Sequence, residues 1–381
     1  ISNITLPAST RLIGARGATR LVYTGGGHFL SALRGDHVQL VDLVLDGVNE
    51  ALQPYAPGLV TVANTRNFQM ENCIVTGSSA IGVSLERSGG HIDGCEIVGA
   101  AGNAGIKSVE ATRLAIRNNH VHDCADGGIY VWRWTPGEDG TQISGNRVER
   151  IGAKSGGTGP HGNGINIFRA HNVSVTDNWL ADCAFSAVRV NAGDNTIINS
   201  NTCLRSDETA IYVEFGFSGA VVSGNLIDGG TGGISCTNFN DGGRLTVVSD
   251  NIIRNLKTTG PYFNEIIDFG WGIHAEADTS VTGNLVEGAP LFGLSLGWGV
   301  NLRNILARGN IIRDAGTGIA VSVADGVGGA MILNNMIDGT RNGAIVGHRW
   351  KDAATGDLLG ARNRFEHLTI SGNRSTGRVL S

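Results

Sequence analysis

The sequence predicts an all-β protein, a parallel β-helix solenoid of about a dozen coils, and three observations carry that prediction. A short motif, an Asn followed two residues later by an aliphatic or similar group, recurs along most of the chain at intervals of 23 to 38 residues. Between its copies lie short alternating segments broken by Gly, Asn and Asp, with no 3.6-residue period. Glycine outnumbers proline 58 to 7 in 381 residues, which suits sharp bends between strands.

The recurring Asn stands at Asn72, Asn119, Asn146, Asn178, Asn201, Asn225, Asn251, Asn284, Asn310, Asn335 and Asn373, with Asp42 and Cys95 in the same slot. Stacked amides bonding from coil to coil would explain it, as in other cross-β ladders. Eight to ten residues after most slots a small residue opens a strand, as in "IGVSL", "GGIYV", "NGINI", "TAIYV" and "WGIHA". The aliphatic residues of that strand form an inward column: Ile106, Ile129, Ile165, Val188, Ile211, Ile234, Ile273, Leu294, Ile319 and Ile345. The leucine-rich frame L-x-x-L-x-L and the calcium solenoid frame G-G-x-G-x-D are both missing. A single coil cannot bury such a column alone, so one domain over 1–381 is expected, with 1–37 as an N-terminal capping coil region and 351–381 as a loop and terminal coil.

A net charge of −5 offers no basic footprint, so no nucleic-acid partner is expected. Hydrophobic residues at 41% argue against disorder, and no apolar run reaches membrane-spanning length. "ISNITLP" begins as if inside a strand, so a preceding segment is expected. The six cysteines fall mostly in inward slots and read as buried free thiols, and no C-x-x-C pair suggests zinc.

These coils resemble the right-handed parallel β-helix superfamily of pectate lyases, polygalacturonases, chondroitinase-B-like lyases and alginate epimerases. More narrowly, "LPASTRLIGARGATRLVYTGGG", "VDLVLDG" and the "GN" coils resemble a group of twin-arginine-translocated bacterial repeat proteins. The resemblance implies right-handed coils and a periplasmic or secreted location. It transfers no catalytic set: the polygalacturonase motifs N-T-D, D-D and R-I-K and the epimerase motif D-P-H-D are missing, and only "GPHG" at 159–162 faintly matches G-H-G.

Two outward columns of the same strand are unusual. One reads Ser84, Lys107, Tyr130, Asn166, Arg189, Tyr212, Ser235, His274, Ser295; the other reads Glu86, Val109, Trp132, Phe168, Asn191, Glu214, Thr237, Glu276, Gly297. A plain solvated face would be Ser, Thr, Asn and Lys, whereas the middle rungs gather aromatic and ionisable groups. The gap from Asn slot to strand grows to 18 residues before Gly164 and 21 before Gly272, through "GAKSGGTGPHGN" and "LKTTGPYFNEIIDFGW". Further length follows the strand at "WTPGEDG" and "NFNDGGR". Loops on both flanks of one face would wall a groove, and this reading is preferred to their merely capping a sheet edge.

Aromatic rings beside hydrogen-bonding groups suit a polysaccharide or oligosaccharide. The leading expectation is a polysaccharide lyase that cleaves a uronate-containing glycan by β-elimination. In it, Arg189 or Lys107 neutralises the carboxylate and Tyr212 or His274 serves as base or acid. The runner-up is an inverting glycoside hydrolase using Glu214 and Glu276, two rungs and so about 9.6 Å apart by backbone, against an inverting range of roughly 6.5–9.5 Å. The third reading is a glycan-binding or structural β-helix without chemistry. Tyr130, Trp132, His161, Asn166, Phe168 and Asn191 join Lys107 as expected substrate contacts. No metal or other cofactor is expected: acidic turns at "GEDG" and "FNDGG" could hold calcium, but no dense D-x-D frame supports it.

Overall fold

The computed structural model describes residues 1–262, 268–360 and 365–376. Its chain forms a right-handed parallel β-solenoid of about 13 turns, and among the described residues the one helix is a three-residue 3-10 turn at Phe239–Asp241. Two compact units follow one another in sequence, Ile1–Ile197 and Ile198–Ser381. Each is built from three parallel sheets, with every coil giving one short strand to each.

The first sheet carries the columns read from the sequence. In the first unit its strands run, in order, Ile4–Leu6, Leu30–Leu33, Gly58–Ala63, Ile81–Glu86, Ile106–Val109, Gly127–Glu138, Asn163–His171 and Val188–Asn191. In the second unit they run Thr209–Glu214, Gly232–Cys236, Trp271–Ala275, Phe292–Leu296, Thr317–Ser322 and Ile345–Arg349, the last paired antiparallel with Asp352–Asp357. Register follows the expected phase: Ile106, Ile129, Ile165 and Val188 stand in line in one unit, and Ile211, Ile234, Ile273, Leu294, Ile319 and Ile345 in the other. All of these are fully buried. Parallel pairing makes the core a stack of identical layers, so a strand's alternation fixes which side chains face out.

The amide ladder is real. The backbone N–H of Asn119 donates to Asn146 Oδ1 at 3.0 Å, and the Asn119 side-chain amide donates to the same oxygen. Asn146 repeats this with Asn178, and in the second unit the chain of donors runs Asn201, Asn225, Asn251, Asn284, Asn310, Asn335, Asn373. Each amide thus satisfies a buried turn N–H that no strand partner reaches.

Two slots were misassigned by sequence. Leu43 and Cys73, not Asp42 and Asn72, align with Cys95 and the ladder, because Leu45, Val75 and Ile97 share one register line. Asp42 and Asn72 occupy the preceding position, left-handed at φ 56° and 52°, where other coils place Asn118, Asp177, Ser200, Asp250 and Asn334. Asn and Asp tolerate that conformation best after Gly, so one residue type marks two adjacent positions. All six cysteines are buried free thiols, as expected.

Candidate functional site

The first unit holds a cavity of about 280 Å³ against the outer face of the first sheet, lined by Trp132, Gly159, Pro160, Asn166, Phe168 and Asn191. Its floor is set by strand register, which pairs Tyr130 with Asn166 and Trp132 with Phe168, then Asn166 with Arg189 and Phe168 with Asn191. Period two turns all of these outward. Its roof is the glycine-rich insertion. Ser155 donates through its N–H and its hydroxyl to the two carboxylate oxygens of Asp126, both at 2.7 Å, and Gly162 N–H donates to Asp126 O at 2.6 Å. Gly162 has φ +73°, and a Cβ there would strike the Phe185 ring, so only glycine closes the loop this way.

Asn166 joins floor to roof. Its Oδ1 accepts from Trp132 Nε1 at 3.0 Å, while its Nδ2 donates to Gly159 O at 2.7 Å. Tyr130 stacks on Trp132 at 5.4 Å, Phe168 meets the indole edge-on at 5.8 Å, and Lys107 Nζ lies 3.8 Å above the indole. The indole is therefore a fixed wall. Burial pushes the Lys107 ammonium down to about 8, and Nζ donates to Asn103 Oδ1 at 2.8 Å. Arg189, only 6% exposed, donates to Thr158 Oγ1 at 2.6 Å and so ties the roof to the sheet.

Not every expected contact lines this cavity: Lys107, Tyr130 and His161 are not among its lining residues. Tyr130, expected on the sugar-facing surface, is wholly buried, with its hydroxyl donating to Asp126 O at 2.9 Å and its ionisation pushed up by burial. An outward slot faces water only where no insertion folds back over it, and here the roof loop does. His161 sits in the loop beside Pro160 but does not line the cavity; its Nδ1 is buried without a hydrogen-bond partner. The residues sequence reasoning left out are Gly159 and Pro160, which act through backbone position and carry no chemical signature.

The second unit holds the remaining candidates. His274 and Glu276 are 6% and 5% exposed, with His274 Nε2 3.9 Å from Glu276 Oε1. Burial pushes His274 down to about 4 and Glu276 up to about 7, so near neutrality the imidazole is uncharged and the carboxyl is half protonated. The "NFNDGGR" insertion forms the 3-10 turn, and its Phe239 N–H donates to Glu276 Oε2 at 2.7 Å. The Trp271 ring meets His274 edge-on at 5.8 Å and packs with Phe292, Ala320 and Leu291. Trp271 Nε1, His274 Nε2 and both ring nitrogens of His348 are buried without hydrogen-bond partners. Glu214 is buried and Tyr212 half-buried. Within the long insertion before Gly272, residues 263–267 lie outside the described residues. A larger hollow of about 690 Å³, lined by Ile311, Met336, Ile337 and the terminal coil, lies on the third sheet and contains none of these groups.

The model of the right-handed β-helix region matches residues 58–136 and 134–302. The chain belongs to the right-handed β-helix family. The right-handed parallel β-helix read from the coils therefore holds. No curated protein matches the chain. Among solved structures, it is similar to a mannuronic-acid-specific family 6 polysaccharide lyase from human gut microbiota, at 14% identity and TM-score 0.52, covering 97% of this chain and 91% of that one. It is also similar to the catalytic domain of an α-1,3-glucanase in complex with nigerose, at 14% identity and TM-score 0.48, covering 98% and 62%. A tailspike of Escherichia coli bacteriophage HK620 matches at 13% and 0.44, covering 98% and 60%. Identities this low establish the fold and no more. Among the described residues no helix is long and apolar enough to cross a membrane.

Proposed function

We propose that this β-helix is carbohydrate-active and receives an acidic glycan in the cavity beside Trp132. The observation that carries the reading is the lining of that cavity. Trp132 and Phe168 give apolar walls, Asn166 and Asn191 give amides, and the Lys107 ammonium lies against the same indole. A sugar ring has apolar faces and a polar rim, and a uronate adds a carboxylate for a cation to meet. The volume, about 280 Å³, lies just below the usual range of ligand sites, about 300–1,000 Å³, and suits one ring of a longer chain.

The reaction this pairing favours is β-elimination. Neutralising the uronate carboxylate acidifies the C5 proton; a base removes it, the C4–O bond breaks, the leaving oxygen takes a proton, and a C4=C5 double bond remains. Lys107 is the neutralising cation, and Arg189 holds the roof in place. Tyr212 and His274, the base and acid expected from the sequence, belong to the second unit, so the role assigned at this cavity is the neutralising cation alone. Hydrolysis is the second reading, favoured by one observation: burial lifts Glu276 to about 7, so that near neutrality about half of it holds the proton a general acid needs. A periplasmic or secreted location belongs to the same proposal. Incubation with galacturonate, mannuronate and glucuronate oligomers should raise ultraviolet absorbance from unsaturated products, and Lys107→Met should lower that rate at least tenfold. New reducing ends without that absorbance would favour hydrolysis, and neither signal would reject both reactions.

A further inference from the structure

The geometry points to a transition-metal site on the outer face of the third sheet in the first unit, formed by Glu96, His120 and His122 and suited to Zn²⁺. The strand Glu96–Val98 pairs with His120–His122, and Glu96 stands opposite His120. Alternation puts both histidines on the outward side, where their rings stack with centroids 4.0 Å apart. One ligand atom from each of the three residues falls within 4.8 Å of the others. Tetrahedral zinc at about 2.0–2.2 Å from N and O needs ligand atoms roughly 3.3–3.6 Å apart, which small χ rotations reach.

What surrounds the histidines strengthens the case. His122 Nδ1 meets Asp123 Oδ2 at 2.5 Å while its Nε2 points at Glu96 Oε1, 3.2 Å away. His120 Nε2 meets Glu149 Oε1 at 2.8 Å. Each imidazole thus has a carboxylate of the kind that fixes the orientation of a metal-bound histidine. Asp123 is itself held by Arg150 at 2.7 and 2.9 Å. Arg147 and Arg150 both pair with Glu149, at 2.9 and 3.0 Å. The two guanidinium groups are therefore matched by Asp123 and Glu149, and Glu96 supplies the charge left over for a dication. Two histidines and one carboxylate are three protein ligands, the number found where zinc keeps a fourth position open. The site lies on a different sheet from the glycan cavity and stands independently of it.

Titration calorimetry of ZnCl₂ into metal-stripped protein lacking any affinity tag tests this. One equivalent is expected to bind, with affinity lowered at least tenfold by Glu96→Gln and by His120→Asn. Glu96 is half exposed, so its variant should fold; unchanged far-UV circular dichroism verifies that. His91→Asn, at a histidine–glutamate pair on another sheet, should leave binding intact. Absence of saturable uptake, or uptake that survives both Glu96→Gln and His120→Asn, overturns the assignment.

Discussion

Glu276 shows what burial does to a single side chain. Its carboxyl faces the Phe239 N–H, but desolvation outweighs that hydrogen bond and lifts it to about 7. The unfolded chain ionises near the ordinary carboxylate value while the native one does not. Stability from this group is therefore complete below about pH 4.5 and lost as pH climbs through 7, by roughly 3 kcal/mol. His274, pushed down to about 4, acts with the opposite sign: its contribution is present above its ordinary value and fades on acidification. Glu276→Gln keeps an acceptor for Phe239 and cannot ionise. Denaturant titrations should show it gaining on the wild type between pH 5 and pH 8, and a pH-independent difference would refute the buried-carboxyl reading. Neither residue's burial was legible in the sequence. An outward slot on a strand says which way a side chain leaves the sheet; what lies above depends on how the "NFNDGGR" insertion folds, and no periodicity encodes that.

At the scale of the element, the amide ladder and the strand columns were legible because nearly every coil repeats the same short motif, whatever the length between copies. Register could be counted from Ile106 to Ile129 to Ile165 without coordinates, and the pairing confirms it. Where two neighbouring positions accept the same residue type the reading slipped by one, as at Asp42 and Asn72. The ladder's contribution is measurable. Asn251 is wholly buried; its oxygen accepts from the N–H and the amide of Asn225, and its nitrogen donates to Val222 O and to Asn284. Asn251→Ala strands several of these groups at about 1–3 kcal/mol each, so a loss of roughly 3–5 kcal/mol is expected in denaturant unfolding. Exposed Asn240→Ala should change stability by less than about 0.5 kcal/mol. Equal effects from the two would show that the ladder contributes no more than a surface amide. The insertions behave differently: the 152–162 loop was recognisable as extra length, but its role as a roof rests on Asp126 in the bend before one strand and on Asn166 and Arg189 in two others.

For the whole molecule, the fold leaves function open, since stacked coils specify a scaffold and the chemistry resides in what the outer slots and insertions assemble on it. The proposed glycan site is one such assembled spot, the aromatic- and amide-lined cavity of the first unit, with Trp132 as its fixed wall. Calorimetric titration of galacturonate, mannuronate and glucuronate tetrasaccharides at pH 7, where Lys107 keeps its proton, addresses that directly. At least one should bind the wild type, and Trp132→Ala, with unchanged circular dichroism, should bind it at least tenfold more weakly. Equal affinity in the two proteins, or failure of every acidic tetrasaccharide to bind the wild type, would contradict it.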